Sequence, residues 1–232
     1  MKTIGFIGGM SWESSSIYYR IANQEINNRL GKSHSSKNIM FSLDFQEIAE
    51  LQHAGEWEKL TIIMRDTALR LEKAGADFVV ICTNTMHLMA PELEEALKIP
   101  LLHIADAVAE EIKSRNISKV GLLGTRFTME KGFYKERLYK NHDIEVITPE
   151  EEDRKIVHDI IYNELVLGEF HSGSRRMYQE IVTRLQKKGA EGVILGCTEI
   201  PLLLQQEHSD IPLFDTTHIH ARKAVEWSLD KG

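Results

Sequence analysis

The only two cysteines of this 232-residue chain, Cys82 and Cys197, are the residues whose placement most suggests chemistry. Each closes an apolar run, and each is followed by threonine. A thiol at a strand-to-helix turn lies near the positive end of a helix dipole. Backbone N–H groups there can lower its pKa, so it can act as a thiolate, although the sequence alone does not give the pKa of either thiol. The same groups make a site for a small carboxylate or phosphate. Asn84, Thr85 and Thr198 add side-chain donors beside the thiols. Two such thiols suit a reaction that needs one base on each side of a carbon. One thiolate removes a proton from one face, the partner thiol returns a proton to the other, and the roles swap for the reverse direction. Donors around an adjacent carboxylate would stabilise the charge that grows as the proton leaves. Taken alone, the cysteines fit better with two inert core thiols, since free Cys is among the most buried residue types.

The elements that must position them read as α/β. Short apolar runs predict buried parallel strands at Thr3–Ile7, Ile39–Phe45, Phe78–Cys82, Leu101–Ile104, Val120–Leu123, Ile144–Ile147, Gly192–Leu195 and Leu213–Phe214. Amphipathic helices separate them, among them Ile62 to Lys73 and Tyr178 to Lys187. The halves are alike. Thr3-Ile4-Gly5-Phe6-Ile7-Gly8 matches Lys119-Val120-Gly121-Leu122-Leu123-Gly124. Arg70-Leu71-Glu72-Lys73-Ala74-Gly75-Ala76-Asp77 matches Arg184-Leu185-Gln186-Lys187-Lys188-Gly189-Ala190-Glu191. Gly5 precedes Cys82 by 77 positions, and Gly121 precedes Cys197 by 76. Ile99-Pro100-Leu101-Leu102 then pairs with Ile211-Pro212-Leu213-Phe214. The expected fold is two pseudo-symmetric lobes, each a mostly parallel sheet flanked by helices, with the active site in the cleft between them. Residues 1–98 plus 214–232 form the N-terminal lobe carrying Cys82, and 99–213 form the C-terminal lobe carrying Cys197. Ligands of open α/β sheets bind outside the carboxyl ends of the strands, which is where both cysteines fall.

Composition narrows the partners. A net charge of −7 argues against a general nucleic-acid binder. Two cysteines exclude a disulfide framework and a multi-cysteine zinc site. The run after Met1 is too short and glycine-cut for a signal-peptide core, and no stretch approaches the length of a membrane span. The expectation is a cytoplasmic protein with no nucleic-acid or membrane partner. Gly5-x-x-Gly8-Gly9 departs from the dinucleotide pattern, and the ten histidines include no His-Glu-x-x-His run. No metal and no cofactor are expected.

Cys82-Thr83-Asn84-Thr85-Met86-His87 and Gly196-Cys197-Thr198-Glu199-Ile200 resemble the paired signatures of the aspartate/glutamate racemase family. Gly8-Gly9-Met10-Ser11-Trp12-Glu13-Ser14 resembles the N-terminal loop of its aspartate-racemase branch. The resemblance spans nearly the whole chain. It implies an amino-acid racemase without pyridoxal phosphate or metal, acting on a small amino-acid substrate, and a homodimer. It makes Cys82 and Cys197 the acid/base pair. It makes Thr83, Asn84, Thr85 and Thr198 the holders of the substrate carboxylate and amine. Met10, Ser11, Thr125 and Thr128 would line the cleft, and Glu199 would assist Cys197 or favour a helix start.

The glutamate-racemase branch has Asp-Ser after its first strand and His after its second Cys-Thr. Gly9-Met10-Ser11 and Glu199 stand there, which argues against glutamate as the dedicated substrate. Aspartate racemases add two basic residues for the side-chain carboxylate. Here Asp44-Phe45-Gln46-Glu47-Ile48, with Gln52 beyond, and Tyr162 to Gly168 supply none in register. Losing a charge-assisted pair removes substantial binding energy, so Gln52 points to a neutral or broad side-chain pocket. Arg126 or Lys131 could restore a cation. The alternatives are a related two-cysteine isomerase, a hydantoin racemase or maleate isomerase, and a non-catalytic two-lobe carboxylate-binding protein.

Overall fold

The fold is described from a computed structural model over residues 1–230, in which the chain divides into two compact units. The first comprises Met1–Ile104 and the chain from His220, and the second Ala105–Ile219. Lys231 and Gly232 of the expected N-terminal lobe lie outside the described residues.

In the first unit the apolar runs form β1 (Ile4–Gly8), β2 (Asn38–Ser42), β3 (Phe78–Ile81) and β4 (Leu101–Leu102), a parallel sheet in the order β2-β1-β3-β4. Helices α1 (Trp12–Leu30), α2 (Phe45–Ala54), α3 (Trp57–Lys73) and α4 (Ala90–Ala96) connect them. Period-two alternation divides the strand residues between two cores. Ile7, Val79 and Ile81 pack with Ile48, Leu60, Met64 and Leu71 of α2 and α3. Ile4, Phe6, Phe78, Val80 and Cys82 pack with Tyr18, Ala22 and Ile26 of α1. The Cys82 side chain therefore falls on the α1 face.

The second unit repeats the plan. It contains α5 (Ile104–Ser114), β5 (Lys119–Gly124), α6 (Arg126–Glu130), α7 (Phe133–His142), β6 (Glu145–Ile147), α8 (Glu151–Asn163), α9 (Ser172–Lys187), β7 (Gly192–Gly196), α10 (Ile200–Leu203) and β8 (Leu213–Asp215). Its parallel sheet runs β6-β5-β7-β8. The last helix, α11 (Thr216–Leu229), begins in the second unit and carries Ala221, Ala224 and Val225 into the α1 core of the first.

The repeat reaches the level of single hydrogen bonds. After α3 the chain turns at Gly75 (φ +95°), and after α9 at Gly189 (φ +93°). Only glycine enters that region without steric cost. Ala76 N–H then donates to Leu71 O at 3.1 Å, and Ala190 N–H to Leu185 O at 3.1 Å. Val79 N–H donates to Pro100 O at 3.0 Å, and Val193 N–H to Pro212 O at 2.8 Å. Gly5 and Gly121 let the returning helix lie close to the sheet. A Cβ at Gly5 would stand 2.8 Å from Ala76 Cβ, and one at Gly121 would stand 2.8 Å from Leu185 Cδ1.

Two expectations shift. The strand expected over Ile39–Phe45 stops at Ser42, because Asp44 accepts Gln46 N–H at 3.0 Å and caps α2, which begins at Phe45. The units break downstream of Pro100 and Pro212. β4 pairs with β3 and stays in the first unit, while β8 pairs with β7 and stays in the second. No helix among the described residues is long and apolar enough to cross a membrane.

Candidate active site

In the first unit the expected residues gather where β1 and β3 end. Gly9 takes φ +88°, and a Cβ there would lie 2.1 Å from Leu43 O, so no other residue fits this turn. Ser15 Oγ accepts Gly9 N–H at 2.7 Å, and Ser11 Oγ accepts Ser14 N–H at 3.3 Å to cap α1. Ser14 O–H donates to Cys82 O at 2.7 Å, joining α1 to the end of β3. Met10 is buried among Ile7, Ile48 and Met64. Asn84 and Thr85 are buried and Thr83 partly so, at the start of a 3-10 turn over Thr85–Met89. Gln52 is buried on α2, and its side-chain amide lies 3.1 Å from Met86 Sδ on that turn.

In the second unit the equivalent residues gather where β5 and β7 end. Thr125 caps α6, its Oγ1 accepting Thr128 N–H at 3.4 Å. Thr128 is fully buried, its methyl against the positions where Gly124 and Gly196 lack side chains. Cys197 is partly buried. Its S–H donates to Glu199 Oε2 at 2.9 Å, and Thr198 O–H donates to the same oxygen at 2.7 Å. Glu199 therefore bonds the thiol and its neighbour together.

The two thiols differ electrostatically. Burial pushes the Cys82 thiol well up. Burial also raises Cys197, and the Glu199 carboxylate adds to the rise, while the backbone N–H groups of Thr198 and Glu199 pull it down. The lowering by turn N–H groups is present at Cys197 but is outweighed. Desolvation disfavours the thiolate more than the turn favours it, and the helical segments that follow, Thr85–Met89 and Ile200–Leu203, are too short for strong dipoles. At both cysteines burial favours the thiol over the thiolate.

Ser14 and Tyr162 lie beyond the sequence expectations, while His87, one helical turn past Asn84, has the capping or orienting place that its spacing suggested. Ser14 supports Cys82 through the bond already described. His87 ties down the turn after Cys82, its Nδ1 standing 2.8 Å from Thr83 O. The Tyr162 hydroxyl on α8 is pushed up to about 12, first by burial and then by electrostatic interaction with Cys197 and Glu199. Its ring stands 4.7 Å from that of His158, one helical turn earlier. That spacing was the available signal in the sequence.

Arg126 lines a groove of about 550 Å³ with Lys155, His158, Glu130, Glu151, Glu152 and Asp159. Carboxylates outnumber cations there, so the groove does not select an anion. Val166 is exposed on a 3-10 turn over Leu165–Leu167.

The chain shares 50% identity with a candidate Asp/Glu racemase of Yersinia pestis, over 99% of this chain and all of that one, with a TM-score of 0.95. It shares 35% identity with an aspartate racemase homologue from Pyrococcus horikoshii OT3, with equal coverage and a TM-score of 0.87. It is 27% identical over 168 residues to the broad specificity amino-acid racemase RacX of Bacillus subtilis, covering 71% of this chain and 70% of that protein. The family model described as Asp/Glu/Hydantoin racemase matches residues 7–224. With that match running through both units and both cysteine turns, the chain belongs to the Asp/Glu/Hydantoin racemase family.

Proposed function

We propose that this protein is a cofactor-independent amino-acid racemase of broad specificity, with Cys82 and Cys197 as its two acid/base groups. The observation that carries the reading is the paired Cys-Thr turn, found at the ends of equivalent strands β3 and β7 in two units of identical strand order. The reaction begins with one cysteine as thiolate and its partner as thiol. The thiolate takes the Cα proton, leaving the electron pair delocalised into the carboxylate. The partner thiol delivers its proton to the opposite face. One proton leaves Cα and one arrives, so the substrate is inverted and the two sulfurs have exchanged states. The next turnover runs in reverse, or the sulfurs re-equilibrate with water.

Thr83, Asn84, Thr85 and Thr198 are assigned to the substrate carboxylate and amine, where donors aimed at the growing negative charge lower the barrier. Glu199 holds the Cys197 thiol and the Thr198 hydroxyl on one carboxylate oxygen and favours the protonated, proton-donating state of Cys197. Met10, Ser11, Thr125 and Thr128 shape the two turns. Gln52, a neutral donor and acceptor, supports neutral or mixed side chains over a dedicated carboxylate. RacX, a broad-specificity relative, supports the same substrate range. We also propose a cytoplasmic homodimer.

The test is a panel of L-amino acids incubated with metal-free, pyridoxal-free protein in D2O. Each is read for deuterium at Cα and for the D-enantiomer. Neutral polar members should react at least as well as aspartate. Reaction of aspartate alone would overturn the breadth of the proposal. Silence across the panel, with turnover of a hydantoin or of maleate, would move the reaction to a related isomerase.

A further inference from the structure

The turn that carries Cys82 is held by two side chains that bond its consecutive peptide oxygens. Ser14 O–H reaches Cys82 O at 2.7 Å, and His87 Nδ1 stands 2.8 Å from Thr83 O. A carbonyl oxygen only accepts, so Nδ1 of His87 carries the proton. Its Nε2 stands 3.2 Å from the backbone nitrogen of Ile104, which only donates, so Nε2 is an acceptor. This is the bonding pattern of one neutral tautomer. The ring is buried, with the His103 ring 4.6 Å away and the His220 ring 5.6 Å away. His220 is fixed in turn: Tyr18 O–H meets its Nδ1 at 2.9 Å, and its Nε2–H meets Leu102 O at 2.9 Å. Among these contacts, the one His87 makes to the catalytic turn is to a peptide oxygen. In a trans peptide the N–H points away from the C=O. Anchoring Cys82 O and Thr83 O therefore directs the N–H groups of Thr83 and Asn84 the other way.

We infer that His87 is a positioning residue for Cys82, acting through the Nδ1–H bond to Thr83 O that fixes the orientation of the turn. The inference rests on the reading of Cys82 as an acid/base group, and its test does not depend on turnover. His87→Asn places an amide N–H near the Nδ1 position and gives up the Ile104 contact. His87→Gln places its amide near Nε2 and gives up the Thr83 contact. Each variant loses one buried hydrogen bond, so their thermal midpoints should fall by similar amounts.

Native modification by methyl methanethiosulfonate, resolved for each cysteine by peptide mass spectrometry, separates them. His87→Gln should change the Cys82 rate by about fivefold, the worth of one hydrogen bond. His87→Asn should stay within about twofold of the wild type, and Cys197 should be unchanged in both, since neither substitution touches its turn. Where racemisation is measurable, His87→Gln should lower kcat with little change in KM, and His87→Asn should rescue it. Equal effects of Asn and Gln, or parallel shifts at both cysteines, would overturn the inference. So would failure of both variants to fold, which would make the ring a general core element. A wild type that racemises nothing would defeat the proposed function, while the thiol comparison would still decide the role of His87.

Discussion

Glu199→Gln probes the asymmetry between the two thiols. One carboxylate oxygen accepts the Cys197 thiol at 2.9 Å and the Thr198 hydroxyl at 2.7 Å. Glutamine keeps the size and one acceptor oxygen and loses the charge. Hydrogen bonds to charged groups contribute about 1.5–3 kcal/mol, against about 1 kcal/mol for neutral ones. The two bonds orient Cys197 and Thr198 together, and weakening them by about 2 kcal/mol should lower kcat/KM by up to about 30-fold through lost positioning, even as Cys197 ionises more readily. Chiral chromatography of both directions provides the assay. Enantiomers have equal free energy, so kcat/KM must fall by the same factor for L and D, and any difference exposes an assay error. The Cys197 thiol responds with a definite sign. The Glu199 carboxylate raises it, so removing that charge should bring the onset of Cys197 alkylation to lower pH. Cys82, raised by burial alone, should not move. Unchanged racemisation together with an unmoved Cys197 profile would refute a working link between Glu199 and Cys197.

Gly5→Ala should destabilise more than Gly121→Ala. The Gly5 Cβ would press on Ala76 Cβ at 2.8 Å and Phe78 O at 3.2 Å, neither of which can swing away, and overpacking costs about 1–3 kcal/mol. At Gly121 the nearest atom is the movable Leu185 Cδ1, so urea unfolding should show a smaller loss there, and equal losses would contradict the packing argument. Alkaline stability should depend on the cysteines. Both thiols are raised above 9.0, so past that pH the unfolded chain releases protons that the folded protein keeps, and stability falls as pH rises. Each thiol contributes a slope of about 1.4 kcal/mol per pH unit between its unfolded and folded pKa values. The Cys82→Ser/Cys197→Ser double variant should lose that slope in urea titrations from pH 8 to 10, and a wild-type slope in the double variant would contradict the assigned cause.

The eight strands were legible because short apolar runs bounded by Gly, Pro and charged residues have few other uses in an α/β chain. The repeat was legible for a stronger reason. Gly5 and Gly121, Gly75 and Gly189, and Cys82 and Cys197 each occupy matching backbone positions, so local chemistry recurs with the fold. What escaped the sequence depends on distant partners. The lobe boundaries follow strand pairing, which places Leu101 with β3 and Leu213 with β7. The contact that sets the His87 tautomer comes from Ile104, 17 residues away, and the Ser14 hydroxyl reaches Cys82 O, 68 residues away. The thiol pKa values were not legible because turn geometry is visible in a sequence and desolvation is not. Gln52 was identified as polar and near the site, yet its observed contact is a methionine sulfur.

The central claim is that Cys82 and Cys197 act on opposite faces of one Cα. The most direct measurement is Cα deuterium exchange in D2O by Cys82→Ser and Cys197→Ser, each given the separate L- and D-enantiomers of the best substrate. The account predicts that both variants lose racemisation. It predicts also that any residual exchange is confined to one enantiomer in one variant and to the other enantiomer in the other. Normal racemisation by either single variant, or exchange of the same enantiomer by both, would contradict it.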